Sequence, residues 1–267
     1  MFDNLLSNVS LFFLIFARCF TMLLTLPLFS MRSVSRIAKV ALAGYMAFFL
    51  LGSVDASVYE PFLENEGVYS LNYILLVIGE GLIGIILGFY ISVIFSAFST
   101  AGQFLGFQMG LSAASSYDAL SQVENPLMGQ FFNLVAMLIF MQTNCFQKLF
   151  LTGLTNSFDS LTTVTIVECQ SNIVTFMLKG LGNLFADALV IALPVMGTLF
   201  LITICTGLLT KAAPQMNLLS EGFPIMILVA FAVIAILLPN VIDFFVRSFN
   251  KAFVDLDLFF KSLGPGR

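Results

Sequence analysis

The chain has 267 residues, of which 59% are hydrophobic and only 10% charged, with 11 basic against 15 acidic side chains and a net charge of −4. So few ionic groups cannot coat a water-soluble domain, which carries about 25% of them, and a disordered chain would be far more polar. The acidic balance excludes a nucleic-acid-binding stripe, and the lack of any histidine removes Ser-His and Cys-His catalysis, imidazole metal ligands and imidazole pH switches.

What remains is an integral membrane protein, or a subunit enclosed in a larger apolar assembly, with a mean hydropathy of +1.02. Residues 5–29 form the first apolar run. As a helix it reaches about 36 Å, enough for a hydrocarbon core, with Arg18 interrupting it and Pro27 ending it. Arg32, Arg36 and Lys39 make a basic connection to a second run at 39–54, and Asp55, Glu60, Glu64 and Glu66 make an acidic one after it. The excess of Lys and Arg places the first connection in the cytoplasm and the acidic one outside. A glycine-rich run follows at 71–98, then a small, amphipathic segment at 101–116 and an apolar run at 127–141. The polar stretch 142–172 carries Lys148, Asp159 and Glu168. Two more apolar runs, 181–209 and 224–246, are joined by 210–223. The pattern predicts an all-α, polytopic membrane-type protein, with an N-terminal helical body over 1–172 and a C-terminal long helical hairpin over 173–267. Six crossings would return the tail to the outside. Yet its Arg247, Lys251, Lys261 and Arg267 outnumber Asp255 and Asp257, which the same rule prefers inside. Either one run does not cross, or the chain does not sit across the bilayer in the ordinary way.

Gly79, Gly81 and Gly84 match G-x-G-x-x-G, but no acidic residue lies between Gly84 and Asp118, where a dinucleotide site needs one about 20 positions on. Helical spacing explains these residues better. Glu80, Gly84 and Gly88 fall on one face, and Gly84 to Gly88 is a GxxxG that admits a close neighbouring backbone. Gly102, Gly106 and Gly110 repeat that spacing. The close contact is made either inside the chain or between subunits. Glu80 and Asp187 sit in apolar runs, where a carboxylate is costly and marks a site. They serve either as ion sites of a transporter or as structural partners of Arg18, Lys179 or a neighbouring subunit; with no carboxylate–histidine chain, structural pairing is the favoured choice. Cys19, Cys145, Cys169 and Cys205 read as small buried hydrophobes, with a Cys145–Cys169 disulfide as the lesser option if their polar segment is extracytoplasmic. The 31 Phe residues without a Trp point to rings that pack against protein rather than at a lipid interface. Pro194 should kink its helix. Two prolines and two glycines between Gly207 and Pro224 make a hairpin tip. That tip is a plain turn or a docking surface built from Lys211, Pro214, Gln215, Met216, Asn217, Glu221, Phe223 and Pro224.

Three pieces carry a resemblance: Glu80-Gly81-Leu82-Ile83-Gly84 with Gly88-Phe89; Ala101-Gly102-Gln103-Phe104-Leu105-Gly106-Phe107-Gln108-Met109-Gly110; and Ala213-Pro214-Gln215-Met216-Asn217 with Gly222-Phe223-Pro224. In order and spacing they resemble the flagellar export-gate protein R (FliR) family of type III secretion. The resemblance implies a non-enzymatic core subunit, without cofactor or metal, of a channel that passes unfolded flagellar proteins across the bacterial inner membrane at the flagellar basal body. It implies FliP-like and FliQ-like partner subunits and an FlhB-like switch protein, with an FlhA-like subunit as a further candidate, and membrane lipid around them. The N-terminal body would mimic FliP and the hairpin FliQ. Residues 108–118 resemble the family's pore loop, with Met109, Leu111, Ser115, Ser116, Tyr117 and Asp118 as plug residues. This sequence departs from the pattern there: Ala113 to Ser116 replace aromatics, Asp118-Ala119 stands for Asp-Pro, and Asn144-Cys145-Phe146 for Asn-Gly-His. The alternatives are a secondary transporter or the homologous injectisome subunit. An intramembrane enzyme has least support, since Ser115 and Ser116 lack a base and no G-x-S-x-G exists.

Overall fold

The computed structural model describes residues 2–30, 34–54, 59, 71–111, 127–163, 166, 169–212 and 218–263. All regular structure among them is helical: α1 Phe2–Thr25, α2 Pro27–Ser30, α3 Arg36–Leu50, α4 Leu71–Gln108, α5 Leu127–Gln142, α6 Cys145–Lys148, a π-helical turn Leu149–Leu154, α7 Thr155–Ser160, α8 Gln170–Ala212 and α9 Leu218–Leu263.

Local chemistry sets the boundaries. Pro27 has no N–H to continue α1 and restricts the residue before it, yet suits the first position of α2. Ser35 has extended dihedrals, and its hydroxyl accepts the Ala38 N–H at 3.2 Å, capping α3. Gly110, with φ 75°, follows α4 in the left-handed conformation that glycine adopts without strain. Asn144, at φ 54°, separates α5 from α6.

Several helices are longer than the apolar runs suggest. Residues 71–98 and 101–116, expected as separate segments, form the single 38-residue α4 up to Gln108. The Ser99-Thr100 step between them contains no helix breaker. α8 begins at Gln170, inside the stretch expected to be polar connection, and runs 43 residues with Pro194 inside it. α9 runs 46 residues to Leu263, through the expected tail.

Three helices among the described residues are long and apolar enough to cross a membrane, Leu71–Gln108, Gln170–Ala212 and Pro224–Leu263, or four if 127–142 and 145–160 count as one. α3 has 15 residues, about 22 Å, and falls short of a ~30 Å core. α1, at 24 residues, is about 36 Å long and does reach that thickness.

The chain divides into two compact units, Met1–Val93 with Asn144–Gly180 and Lys251–Arg267, and Ile94–Thr143 with Leu181–Asn250. α4, α8 and α9 each contribute to both units. In the first unit α1 packs on α3, burying Leu14, Ile15, Cys19, Met22 and Leu23 together with Ala43, Ala47 and Leu50. Tyr90, Phe176 and Phe259 stack in the same unit, with ring centroids 4.5 and 4.1 Å apart. The second unit is built on phenylalanine. Phe98 lies 3.9 Å from Phe245, and Phe249 contacts Phe95, Phe98 and Phe140 at 5.1–5.4 Å. These edge and tilted contacts are the favoured aromatic geometries.

All four cysteines are free thiols. Cys19 and Cys145 are buried, Cys169 is partly buried and Cys205 is exposed. The Cys145–Cys169 disulfide is absent, and Cys205 is not the buried hydrophobe expected.

Candidate functional site: a buried ion pair on a glycine seam

The first unit holds a charge pair fully out of solvent. Arg18 on α1 and Glu80 on α4 are both 0% exposed. The guanidinium meets Glu80 Oε2 twice, Nε donating at 2.6 Å and Nη2 lying at 2.5 Å. Its other donors are also used. Nη1 donates to Ser157 Oγ at 2.9 Å and Nη2 to the Leu161 carbonyl at 2.8 Å. The Phe158 ring lies 3.9 Å from Cζ, a cation–π contact. Glu80 Oε1 accepts from Tyr59 Oη at 3.1 Å and Thr163 Oγ1 at 3.2 Å.

Each ligand is presented by a local feature of the chain. The π-helical turn hands over to α7, and Ser157 Oγ donates back to the Leu154 carbonyl at 2.6 Å while receiving Arg18. Leu161, the residue after α7, is extended at φ −120° and ψ 106°, which leaves its carbonyl outside the helical ladder and available to the guanidinium. Four sequence-distant segments thus converge on one ion pair. Such a pair is tolerable only when its remaining donors and lone pairs are satisfied. Burial and then the neighbouring Glu80 carboxylate push the Tyr59 phenol above its ordinary range, so it stays a neutral donor. The cluster offers neither a titrating histidine nor an unpaired nucleophile, and its chemistry is cohesion.

The α1–α4 contact beside it is a glycine seam. A Cβ on Gly84 would collide with the Arg18 carbonyl and Thr21 Oγ1, and one on Gly88 with the Met22 carbonyl and Thr25 Oγ1. Thr21 and Thr25 donate their hydroxyls to the Ala17 and Met22 carbonyls of their own helix at 2.9 Å. Ser92, one turn past Gly88, donates to the Thr25 carbonyl at 2.5 Å. In the second unit, Gly102 meets the Met128 carbonyl and Gly129 Cα of α5. At Gly84, Gly88 and Gly102 the close neighbour is therefore the chain itself. Gly106 has room for a Cβ, 3.7 Å from that of Met128, and Gly110 serves the turn after α4.

Asp187 belongs to the second unit, where its Oδ2 accepts from Ser248 Oγ at 2.9 Å. Met109 is fully buried and Leu111 half-buried. Ser115, Ser116, Tyr117 and Asp118 lie outside the described residues, as do Pro214, Gln215, Met216 and Asn217 and the side chains of Glu221 and Phe223. Lys211 and Pro224 are exposed on either side of the tip. Tyr59, Ser157 and Thr163 carry no distinguishing signal in the sequence. Thr21 and Thr25 do, in a spacing of four that matches Gly84 and Gly88.

A family model, bacterial export proteins, family 1, matches residues 9–252. The flagellar biosynthetic protein FliR of Escherichia coli (strain K12) is 31% identical over 251 residues, 94% of this chain and 93% of that protein. FliR of Bacillus subtilis (strain 168) is 29% identical over 84% of this chain and 85% of its own. The surface presentation of antigens protein SpaR of Shigella flexneri is 31% identical over 59% of this chain and 60% of its own. With most of α1, all of α4, their ion pair and most of the hairpin inside the matched span, the chain belongs to the bacterial export proteins of family 1, as a member of the FliR family.

Proposed function

We propose that the chain is a non-enzymatic core subunit of the flagellar type III protein export gate, part of the channel through which unfolded flagellar proteins cross the bacterial inner membrane at the basal body. The observation that carries this reading is the match to FliR proteins along nearly the whole chain. The flagellar branch is preferred to the injectisome one because the FliR match covers 94% of the chain and the SpaR match 59%. The structure supports it in two ways. Glu80 and Asp187 each have a partner, Arg18 and Ser248, as structural pairing of carboxylates in apolar helices requires. The most apolar stretches of α8 and α9 are only 28% and 11% buried, against 56% for α4, so the hairpin leaves apolar surface for neighbours. Those neighbours are FliP-like and FliQ-like subunits, with FlhB-like and FlhA-like proteins beside them.

Purification of the tagged chain in mild detergent, followed by mass spectrometry of the intact complex, is expected to show FliP- and FliQ-like chains in fixed ratio. Recovery of the chain alone from cells that make those proteins counts against the reading.

Residues 108–118 are proposed as this subunit's share of the closed channel's plug. Met109 is buried within the chain, while Leu111 is half-buried and can supply apolar bulk that excludes ions by dewetting. Leu111→Ala is expected to raise ion leak through the closed complex reconstituted in a bilayer. Unchanged conductance removes Leu111 from the plug.

A further inference from the structure

A cleft in the first unit has no part in the ion pair or the glycine seam. It measures about 420 Å³ and lies between the segment 148–156 and the end of α9. One wall is the π-helical turn, a widened backbone of a kind that recurs at functional sites. Lys148 and Asn156 flank that wall, and Lys261 and Asp257 stand on the other. Between them the lining is apolar, including Val254 and Leu258, each 58% exposed.

The exposed side of α9 here reads Lys251, Val254, Leu258, Lys261, a spacing of three, four and three that keeps all four on one face. Ala252, Leu256, Phe259 and Phe260 point inward and are buried. Exposed apolar side chains bracketed by lysines are the pattern of a helix lying at a membrane interface, where the ammonium groups reach headgroups from aliphatic stems. Leu151 on the π-helical turn, 56% exposed, extends the apolar strip. Asp257 offsets part of the charge, through a 2.7 Å pair with Lys261. That pair is solvent-exposed and of the i,i+4 kind, which contributes little; Lys261 can exchange it for a phosphate, and Lys148, also exposed and engaged within the chain, can do the same.

We propose that this cleft binds an anionic phospholipid, its phosphodiester between Lys148 and Lys261 and the start of an acyl chain along Val254 and Leu258. A zwitterionic lipid offers the same acyl chains without net charge, and a partner protein would satisfy the strip without needing the lysines. Charge complementarity together with the apolar floor selects the anionic lipid in a membrane-embedded chain. The export-gate reading stands or falls independently of this site.

The test is native mass spectrometry of the delipidated full chain, titrated with phosphatidylglycerol or with phosphatidylcholine. Phosphatidylglycerol is expected to be retained preferentially, and Lys148→Gln and Lys261→Gln each to reduce its retention by about five-fold. Both side chains are exposed, so the fold is kept, and Arg36→Gln, an exposed charge outside the cleft, should leave retention unchanged. Equal retention of the two lipids, or unchanged binding by the double lysine variant, overturns the proposal. So does a Val254→Cys variant that crosslinks to another polypeptide in intact membranes, since protein would then fill the cleft.

Discussion

Arg18→Met is expected to destabilise the protein by about 3–5 kcal/mol, because it strands the Glu80 carboxylate in a site without solvent. The lost Arg18 contacts to Ser157 Oγ and the Leu161 carbonyl add two buried groups short of a partner. The measurement is thermal unfolding in detergent, with recovery of monodisperse protein alongside. The double variant Arg18→Met, Glu80→Leu should regain a large part of the loss, since a buried pair replaced by apolar side chains of similar volume is often neutral. It leaves Tyr59 and Thr163 hydroxyls without their acceptor and so should not regain all of it. A single variant as stable as the parent would mean that the guanidinium is reached by water. A double variant worse than the single would show that Glu80 is needed for its hydroxyl partners rather than for its charge.

Gly88→Ala should cost ~1–3 kcal/mol or more despite gaining up to ~1 kcal/mol of helix propensity. The added methyl meets the Met22 carbonyl and Thr25, and a backbone carbonyl cannot rotate away as a side-chain tip can. Gly84→Ala meets Arg18 and Thr21 in the same way and also displaces the backbone that carries the guanidinium. Gly44→Ala is the contrast, since nothing lies within 4 Å of its added Cβ, and stability should rise by a few tenths to ~1 kcal/mol. Thermal unfolding of the three variants, read beside swimming motility in a strain lacking the native gene, separates the two classes. Equal behaviour at positions 44 and 88 would refute the seam.

The helical class was legible because composition leaves few alternatives and apolar runs announce helices in a membrane. Boundaries were less so. Ser99-Thr100 looked like a divide and is helix interior, and the charges from Arg247 onward looked like a tail and form a continuation of α9. A charged amphipathic helix is polar on average, so hydropathy alone cannot tell it from a connection. Arg18 and Glu80 stand out as charges in apolar runs, which is what makes their pairing legible. Tyr59, Ser157 and Thr163 do not, being common side chains that reach the pair through contacts 21 to 139 residues apart. Glycine spacing revealed close packing without saying against what. Only the collision partners of each missing Cβ assign Gly84, Gly88 and Gly102 to contacts within the chain.

The interleaving of the two units has a consequence for biosynthesis. The first unit needs both Met1–Val93 and Lys251–Arg267. A ribosome adding about 5–20 residues per second spends on the order of ten to thirty seconds between those segments. Through the first part of that interval α1 and the start of α4 lack Ser157, Leu161 and Thr163, which complete their ion pair, and the aromatic stack that needs Phe259 has to wait to the end. The nascent chain therefore passes through a long-lived, half-closed stage in which an insertase or chaperone has time to engage it.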